Sequence, residues 1–186
     1  METSLEAKIL SPIVASYEGD LDAEQKRWGH ALSLILIRSC RYEGTGSIQY
    51  DNSASYQGTF HKGLFHGKGV YLWPNQVQYE GEFSRGSIAG NGKYTWPDES
   101  KYNGEVLNGK RHGTGVFESS SQQCYEGLWE NGQRHGFGVM NYNQQKTLTY
   151  RGSWQFDQRH GFGTMTYSHR QKSLPDYKNG CFSRSP

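Results

Sequence analysis

Tyr102-Asn-Gly104-Glu-Val106-Leu-Asn108-Gly109-Lys110-Arg111-His112-Gly113-Thr-Gly115-Val-Phe117 is the stretch that decides the fold of this chain. Its first residues alternate, so Tyr102, the bare Gly104 and Val106 share one face of a strand. Asn108-Gly109 is a strong short hairpin signal, because a type I′ turn needs two positive φ angles in succession. The same pattern recurs outward in both directions. Tyr56-Gln-Gly58-Thr-Phe60, Tyr79-Glu-Gly81-Glu-Phe83, Tyr125-Glu-Gly127-Leu-Trp129 and Tyr150-Arg-Gly152-Ser-Trp154 are copies, and successive copies start 23, 23, 23 and 25 residues apart. Each continues through a turn into Gly-x-Gly: Gly67/Gly69, Gly90/Gly92, Gly113/Gly115, Gly136/Gly138 and Gly161/Gly163. Lys62-Gly63, Arg85-Gly86 and Asn131-Gly132 fill the turn slots, and in the last copy Asp157 stands in place of the glycine, as a residue that tolerates the left-handed region. The returning strands carry Tyr71/Trp73, Tyr94/Trp96, Phe117, Met140/Tyr142 and Met165/Tyr167; Trp73-Pro74-Asn75 and Trp96-Pro97-Asp98 then turn the chain into the next copy.

A repeat of this kind cannot bury its apolar face alone, so copies must stack. The expected architecture is all-β: tandem hairpins stacked into an elongated, twisted, antiparallel single sheet. Residues 47–167 should form consecutive hairpins with almost no helix. Glycine inside a strand is costly unless something must come close to the backbone. The expectation is that rings of one hairpin lie over the bared backbone of its neighbour. Gly58, Gly81, Gly104, Gly127 and Gly152 are then structural glycines.

Composition fits such a sheet. The 186 residues include 24 Gly, 13 Tyr, 8 Phe and 5 Trp, against a hydrophobic fraction of 33%, so burial must come largely from aromatic rings. The net charge of +2 is too balanced for nucleic acid. Cys40, Cys124 and Cys181 have no CxxC spacing and fit a reducing compartment. The first residues lack a secretory pattern, and the apolar run Ala31–Ile37 falls far short of the roughly 20 residues of a membrane span, so a soluble protein is expected.

The ends are irregular. Tyr17-Glu-Gly19 starts a first repeat that Leu21–Arg41 interrupts, and Gly44-Thr-Gly46 is a surviving half-repeat. The expected organisation is an N-terminal segment over 1–41 and a repeat array over 42–167, with a half-repeat at 42–55 and full repeats starting at 56, 79, 102, 125 and 150. An irregular tail over 168–186 follows. The decay of the pattern after Tyr167 suggests a short form or fragment of a longer array.

Tyr-x-Gly-x-Phe/Trp, a turn and His-Gly-x-Gly together resemble the MORN (membrane occupation and recognition nexus) repeat, over about residues 42–167. Within that family, Tyr71-Leu-Trp-Pro74, Gly92-Lys-Tyr-Thr-Trp-Pro-Asp98 and Tyr102–Gly113 are most similar to the radial spoke head ten homologue B type of cilia and sperm flagella. The resemblance implies a non-enzymatic, cytoplasmic scaffold in the radial spoke or axoneme, binding axonemal or cytoskeletal proteins. It also implies two rivals: a phosphoinositide or anionic-membrane module, and the targeting fragment of a larger enzyme.

No cofactor is expected. Gly104-x-x-x-x-Gly109-Lys110 nearly spells a phosphate-binding loop, but Arg111 sits where Ser or Thr should hold Mg²⁺, and the same glycine spacing recurs as hairpin architecture. His66, His112, His135 and His160 recur at one repeat position, which Ala89 fills in the second repeat; adjacent repeats lie about 10 Å apart, too far to share a zinc ion whose ligands lie about 2.1 Å from one point. Ser119, Ser120 and Ser121 lie in no nucleophile elbow, and Glu80, Glu82, Glu105, Glu126 and Glu130 fall on the face away from the rings. Trp73, Tyr79, Trp96 and Tyr102 are candidate partner-binding aromatics. Lys62, Arg85, Lys110, Arg111, Arg134 and Arg159 are a candidate basic rim, able to make weak anionic-lipid contacts. An uncapped strand at Phe162–Tyr167 suggests self-association or docking through the C-terminal edge, while Ala31–Ile37 could cover the N-terminal one.

Overall fold

The computed structural model describes residues 14–21, 42–168, 170–178 and 181–182. Among these residues, fourteen strands form one antiparallel sheet in strict chain order. They are β1 (Val14–Leu21), β2 (Tyr42–Tyr50), β3 (Ser55–His61), β4 (Leu64–Leu72), β5 (Gln78–Ser84), β6 (Ser87–Thr95), β7 (Lys101–Leu107), β8 (Lys110–Glu118), β9 (Cys124–Glu130), β10 (Gln133–Asn141), β11 (Leu148–Gln155), β12 (Gln158–Tyr167), β13 (Arg170–Lys178) and β14 (Cys181–Phe182). The five repeats are β3–β4 through β11–β12, as the 23-residue period requires.

Each hairpin turns on two residues with positive φ: Lys62-Gly63, Arg85-Gly86, Asn108-Gly109, Asn131-Gly132 and, without glycine, Phe156-Asp157. The turn then bonds to the hairpin before it. The amides of Gly63, Gly86, Gly109, Gly132 and Asp157 donate to the carbonyls of Tyr42, Phe65, Ile88, Arg111 and Arg134. At the opposite edge, tight loops close through bonds such as Trp73 N to Val77 O and Trp96 N to Ser100 O. The longer 25-residue interval is absorbed there, between Tyr142 and Leu148.

The core lies on one face. Tyr56, Tyr79, Tyr102, Tyr125 and Tyr150 are at most 1% exposed. Each hydroxyl donates to the carbonyl three residues on, in Thr59, Glu82, Glu105, Leu128 and Ser153. Each ring lies across the two facing glycines of its own hairpin, which corrects the expectation that it covers its neighbour's. A Cβ on Gly69 would lie 2.6 Å from the Tyr56 hydroxyl oxygen, and one on Gly115 would lie 2.3 Å from that of Tyr102. The register agrees, with Gly58 opposite Gly69 and Gly104 opposite Gly115. Neighbours meet instead edge-on. Phe83 of the next hairpin stands against Tyr56 with ring centroids 5.1 Å apart, as Phe60 of the same strand does, and Trp154 of the next hairpin stands against Tyr125 at 5.4 Å, beside Trp129 of the same strand at 5.1 Å. Such pairs contribute about 0.5–1.5 kcal/mol each beyond area burial.

Burial pushes the phenols of Tyr56, Tyr79 and Tyr102 up to about 12, at Tyr102 against the pull of Arg111. The unfolded chain releases these protons near pH 10, whereas the folded chain holds them until about pH 12. Stability is therefore intact below pH 10 and falls above it, by about 1.4 kcal/mol per pH unit for each phenol. The sheet should unfold cooperatively within that window, with tyrosinate absorbance and loss of the β signal rising together. Phenols that ionised near pH 10 with the sheet intact would contradict this packing.

The ends correct the sequence expectations. Tyr17-Glu-Gly19 does occupy the first positions of a repeat, with Gly19 opposite Gly46 and the Tyr17 hydroxyl against Gly46. Ala31–Ile37 lies outside the described residues. The expected irregular tail contains β13, which pairs with β12 from Tyr167↔Arg170 to Gly161↔Tyr177. Strand β12 is therefore bonded on both sides, to β11 and to β13, and Phe162–Tyr167 offers no open edge for self-association or docking.

Candidate functional site: the ring face

The side opposite the rings is ordinary in its N-terminal part. Glu80, Glu82, Glu105, Glu126 and Glu130 are all exposed. Glu105 accepts from the Thr114 amide and hydroxyl at 2.8 and 2.7 Å, and these bonds hold its carboxyl below the usual range. The repeated histidines stand on this outer side, where His135 reaches Glu130 at 3.4 Å. Among the described residues, no three His, Cys, Asp or Glu side chains converge as a metal site would need. Towards the C-terminal end the outer row turns apolar, with Leu128, Phe137 and Phe162 exposed, a change that sequence analysis overlooked.

The ring face is different in kind. It has no second layer of the described chain against it, and its relief comes from two repeated positions flanking the buried tyrosines. One is the position of Trp73 and Trp96 at the end of the returning strand. Both are half-buried; Trp73 stacks towards Tyr94 at 6.1 Å, and Trp96 meets Tyr94 at 5.6 Å and Phe117 at 5.9 Å. They keep ring surface available. Tyr79 and Tyr102, named with them from the sequence, do not: both are 0% exposed and committed to their glycines.

The other position begins the returning strand. It holds Phe65 and Ile88 in the first two repeats, then Arg111, Arg134 and Arg159. Because strand residues alternate, Lys110 and Arg111 point to opposite faces. The expected basic rim therefore splits. Lys62, Arg85 and Lys110 are exposed at the turn edge, whereas Arg111, Arg134 and Arg159 turn onto the rings. The Arg111 guanidinium lies 4.3 Å from the Trp129 ring centre and 5.5 Å from that of Phe117. Arg134 lies 4.5 Å from Trp154 and 5.7 Å from Tyr125, and Arg159 lies 5.5 Å from Tyr150. A guanidinium over an aromatic face gains about 0.5–2 kcal/mol. These arginines also hold the next turn: Arg111 donates to the Gly132 carbonyl at 2.7 Å, and Arg134 to the Asp157 carbonyl at 2.9 Å and carboxylate at 3.0 Å.

Beside Arg111 and Arg134 runs a shallow cleft of about 420 Å³, lined by Arg111, Phe117, Gln123, Tyr125, Trp129, Arg134, Met140 and Asp157. Its one lining carboxylate is Asp157. The arrangement can take up flat apolar groups and anionic ones side by side.

A family model described as MORN repeat matches residues 56–77, 79–101, 102–123, 125–145 and 150–168. No curated protein matches the chain. Among solved structures the chain is similar to the SAS-4 (dCPAP) TCP domain in complex with a Proline Rich Motif of Ana2 (dSTIL) of Drosophila melanogaster. The identity is 10%, 82% of this chain and 97% of that chain are covered, and the TM-score is 0.42.

Proposed function

Because the chain belongs to the MORN repeat family, we propose that it is a non-enzymatic scaffold that docks other proteins on its ring face, in the radial spoke or axoneme of cilia or sperm flagella. The observation that carries this reading is the asymmetry of the sheet. One side packs the buried tyrosine that opens each of the five repeats and leaves Trp73, Trp96 and an arginine row as relief, with no layer of the described chain above them. Aromatic and arginine side chains are the residues that most often dominate protein interfaces. The ciliary setting rests on the sequence resemblance of Tyr71–Pro74, Gly92–Asp98 and Tyr102–Gly113 to the radial spoke head type, and a cytoplasmic, axonemal location follows from it.

Affinity purification of the full chain from ciliated cells or sperm tests this. The expected result is capture of axonemal proteins that falls at least tenfold in Trp73→Ala/Trp96→Ala. Capture unchanged by that double variant would remove the ring face from the reading, and a partner set without axonemal proteins would remove the setting.

A second reading, anionic-membrane contact, is favoured by the exposed Lys62, Arg85 and Lys110, one per hairpin along one edge. Each well-placed charge contributes about 1 kcal/mol at such a surface. Sedimentation with anionic vesicles, with and without the three residues changed to alanine, separates the two.

A further inference from the structure

We propose that Arg111, Arg134 and Arg159 form a ladder that reads the carboxylates of an acidic protein segment, one carboxylate per hairpin, with the segment running extended across the strands. This rests on the ring face being a protein-docking surface and specifies the chemistry of what docks there.

Spacing supplies the first argument. The three arginines occupy one repeat position, so neighbouring rungs are two strands, about 9.6 Å, apart. A chain in the polyproline conformation advances about 9.3 Å in three residues, so a carboxylate at every third residue stays in step across all three rungs. An α-helix returns to one face after seven residues, about 10.5 Å, and falls about 2 Å out of step over the same span.

Geometry supplies the second. Each guanidinium is laid against rings of its own or the next hairpin, which fixes it before any partner arrives. A guanidinium presents five N–H donors in a planar fork that suits a carboxylate, so holding a turn carbonyl and gripping a carboxylate are compatible. The protein displays one such grip itself: Arg134 Nε donates to Asp157 Oδ1 at 3.0 Å.

Charge and polarity supply the third. Arg111 and Arg134 bring positive charge to a cleft whose one lining carboxylate is Asp157, already bonded to Arg134. Upstream the same position is apolar, Phe65 and Ile88, beside the half-buried Trp73 and Trp96. The surface is thus apolar over the first two repeats and cationic over the last three, and a segment matched to it is apolar at one end and acidic at the other. A membrane fits less well, because the ladder is recessed against the rings: only 25% of the Arg134 side chain is exposed.

The test uses the full chain and a synthetic peptide of repeated Glu-Pro-Pro units, with binding read by anisotropy of a labelled peptide. Controls are the Gln-Pro-Pro peptide and a peptide of the same composition with glutamates at every fourth residue. Arg111→Met and Arg134→Met keep a long side chain over Trp129 and Trp154 while removing charge, and thermal melts verify that each variant folds. The expected result is salt-sensitive binding of Glu-Pro-Pro that weakens at least tenfold in either control peptide and in either variant, with Lys110→Ala unchanged. Asp157→Asn, which keeps the oxygen acceptor and tolerates the positive φ, should tighten binding several-fold by removing the negative charge that neutralises Arg134. A merely structural ladder would not produce that gain. Equal binding of all three peptides, or of the arginine variants, overturns the proposal. So does loss of binding to phosphoinositide vesicles in Arg111→Met without any peptide binding, which would assign the ladder to lipid phosphate. Capture of axonemal proteins that survives both arginine changes but is lost in Trp73→Ala/Trp96→Ala would overturn the ladder and leave the docking face standing.

Discussion

Gly104→Val should cost about 3 kcal/mol of stability, near the upper end of what over-packing does, while Lys110→Ala at the adjoining turn should stay within about 0.5 kcal/mol. A Cβ on Gly104 would stand 2.4 Å from Gly115 Cα, 2.5 Å from the Thr114 carbonyl oxygen and 2.8 Å from the Tyr102 hydroxyl. Two of these neighbours are backbone and cannot rotate away. The strand pair would have to separate, and separation would lift Tyr102 from both glycines. Lys110 is exposed and makes no comparable demand. Urea unfolding of the two variants measures the difference. Equal midpoints would mean that the glycines are not packing positions.

The second large effect belongs to the ring itself. Tyr102→Ala should destabilise by about 4 kcal/mol, as removal of a fully buried aromatic side chain does. Tyr102→Phe, which loses only the hydroxyl's bonds to the Glu105 carbonyl at 2.7 Å and the His112 carbonyl at 3.3 Å, should cost about 1 kcal/mol. The asymmetry follows from where the ring lies: it covers two bare backbones and meets Trp129 edge-on at 5.4 Å. If the phenylalanine variant unfolded as early as the alanine one, the hydroxyl and not the ring would be what seats this side chain.

The repeat fold was legible because its signals are local. Alternation gave the face of each ring, and a pair of turn residues gave each hairpin its register; even Phe156-Asp157 adopts the two positive φ angles that its glycine-bearing counterparts have. Alternation says nothing about the lateral lean of a ring, however, and that is why Tyr56 was placed over its neighbour's glycines when it covers its own hairpin's. Arg111, Arg134 and Arg159 were grouped with the turn charges because they sit beside them in the chain. The signal that separates them was present: Phe65 and Ile88 hold the same repeat position, and a position that accepts a ring faces the rings. Strand β13 was missed for a different reason. It carries Leu174-Pro175 and no Gly-x-Gly, and backbone pairing to β12 needs no motif. Tyr79 and Tyr102 were nominated for contact by residue type alone, which cannot tell a buried aromatic from a half-buried one.

The strict chain order of the strands makes the molecule a ruler. A further 23-residue unit inserted between two hairpins would add two strands and about 10 Å of length, while every other pairing stayed as it is. Departures from the unit length, such as the two extra residues of the 25-residue interval, are taken up between Tyr142 and Leu148 at the loop edge and leave the graduation undisturbed. Bodies attached at different hairpins are thereby held at distances quantised in whole repeats.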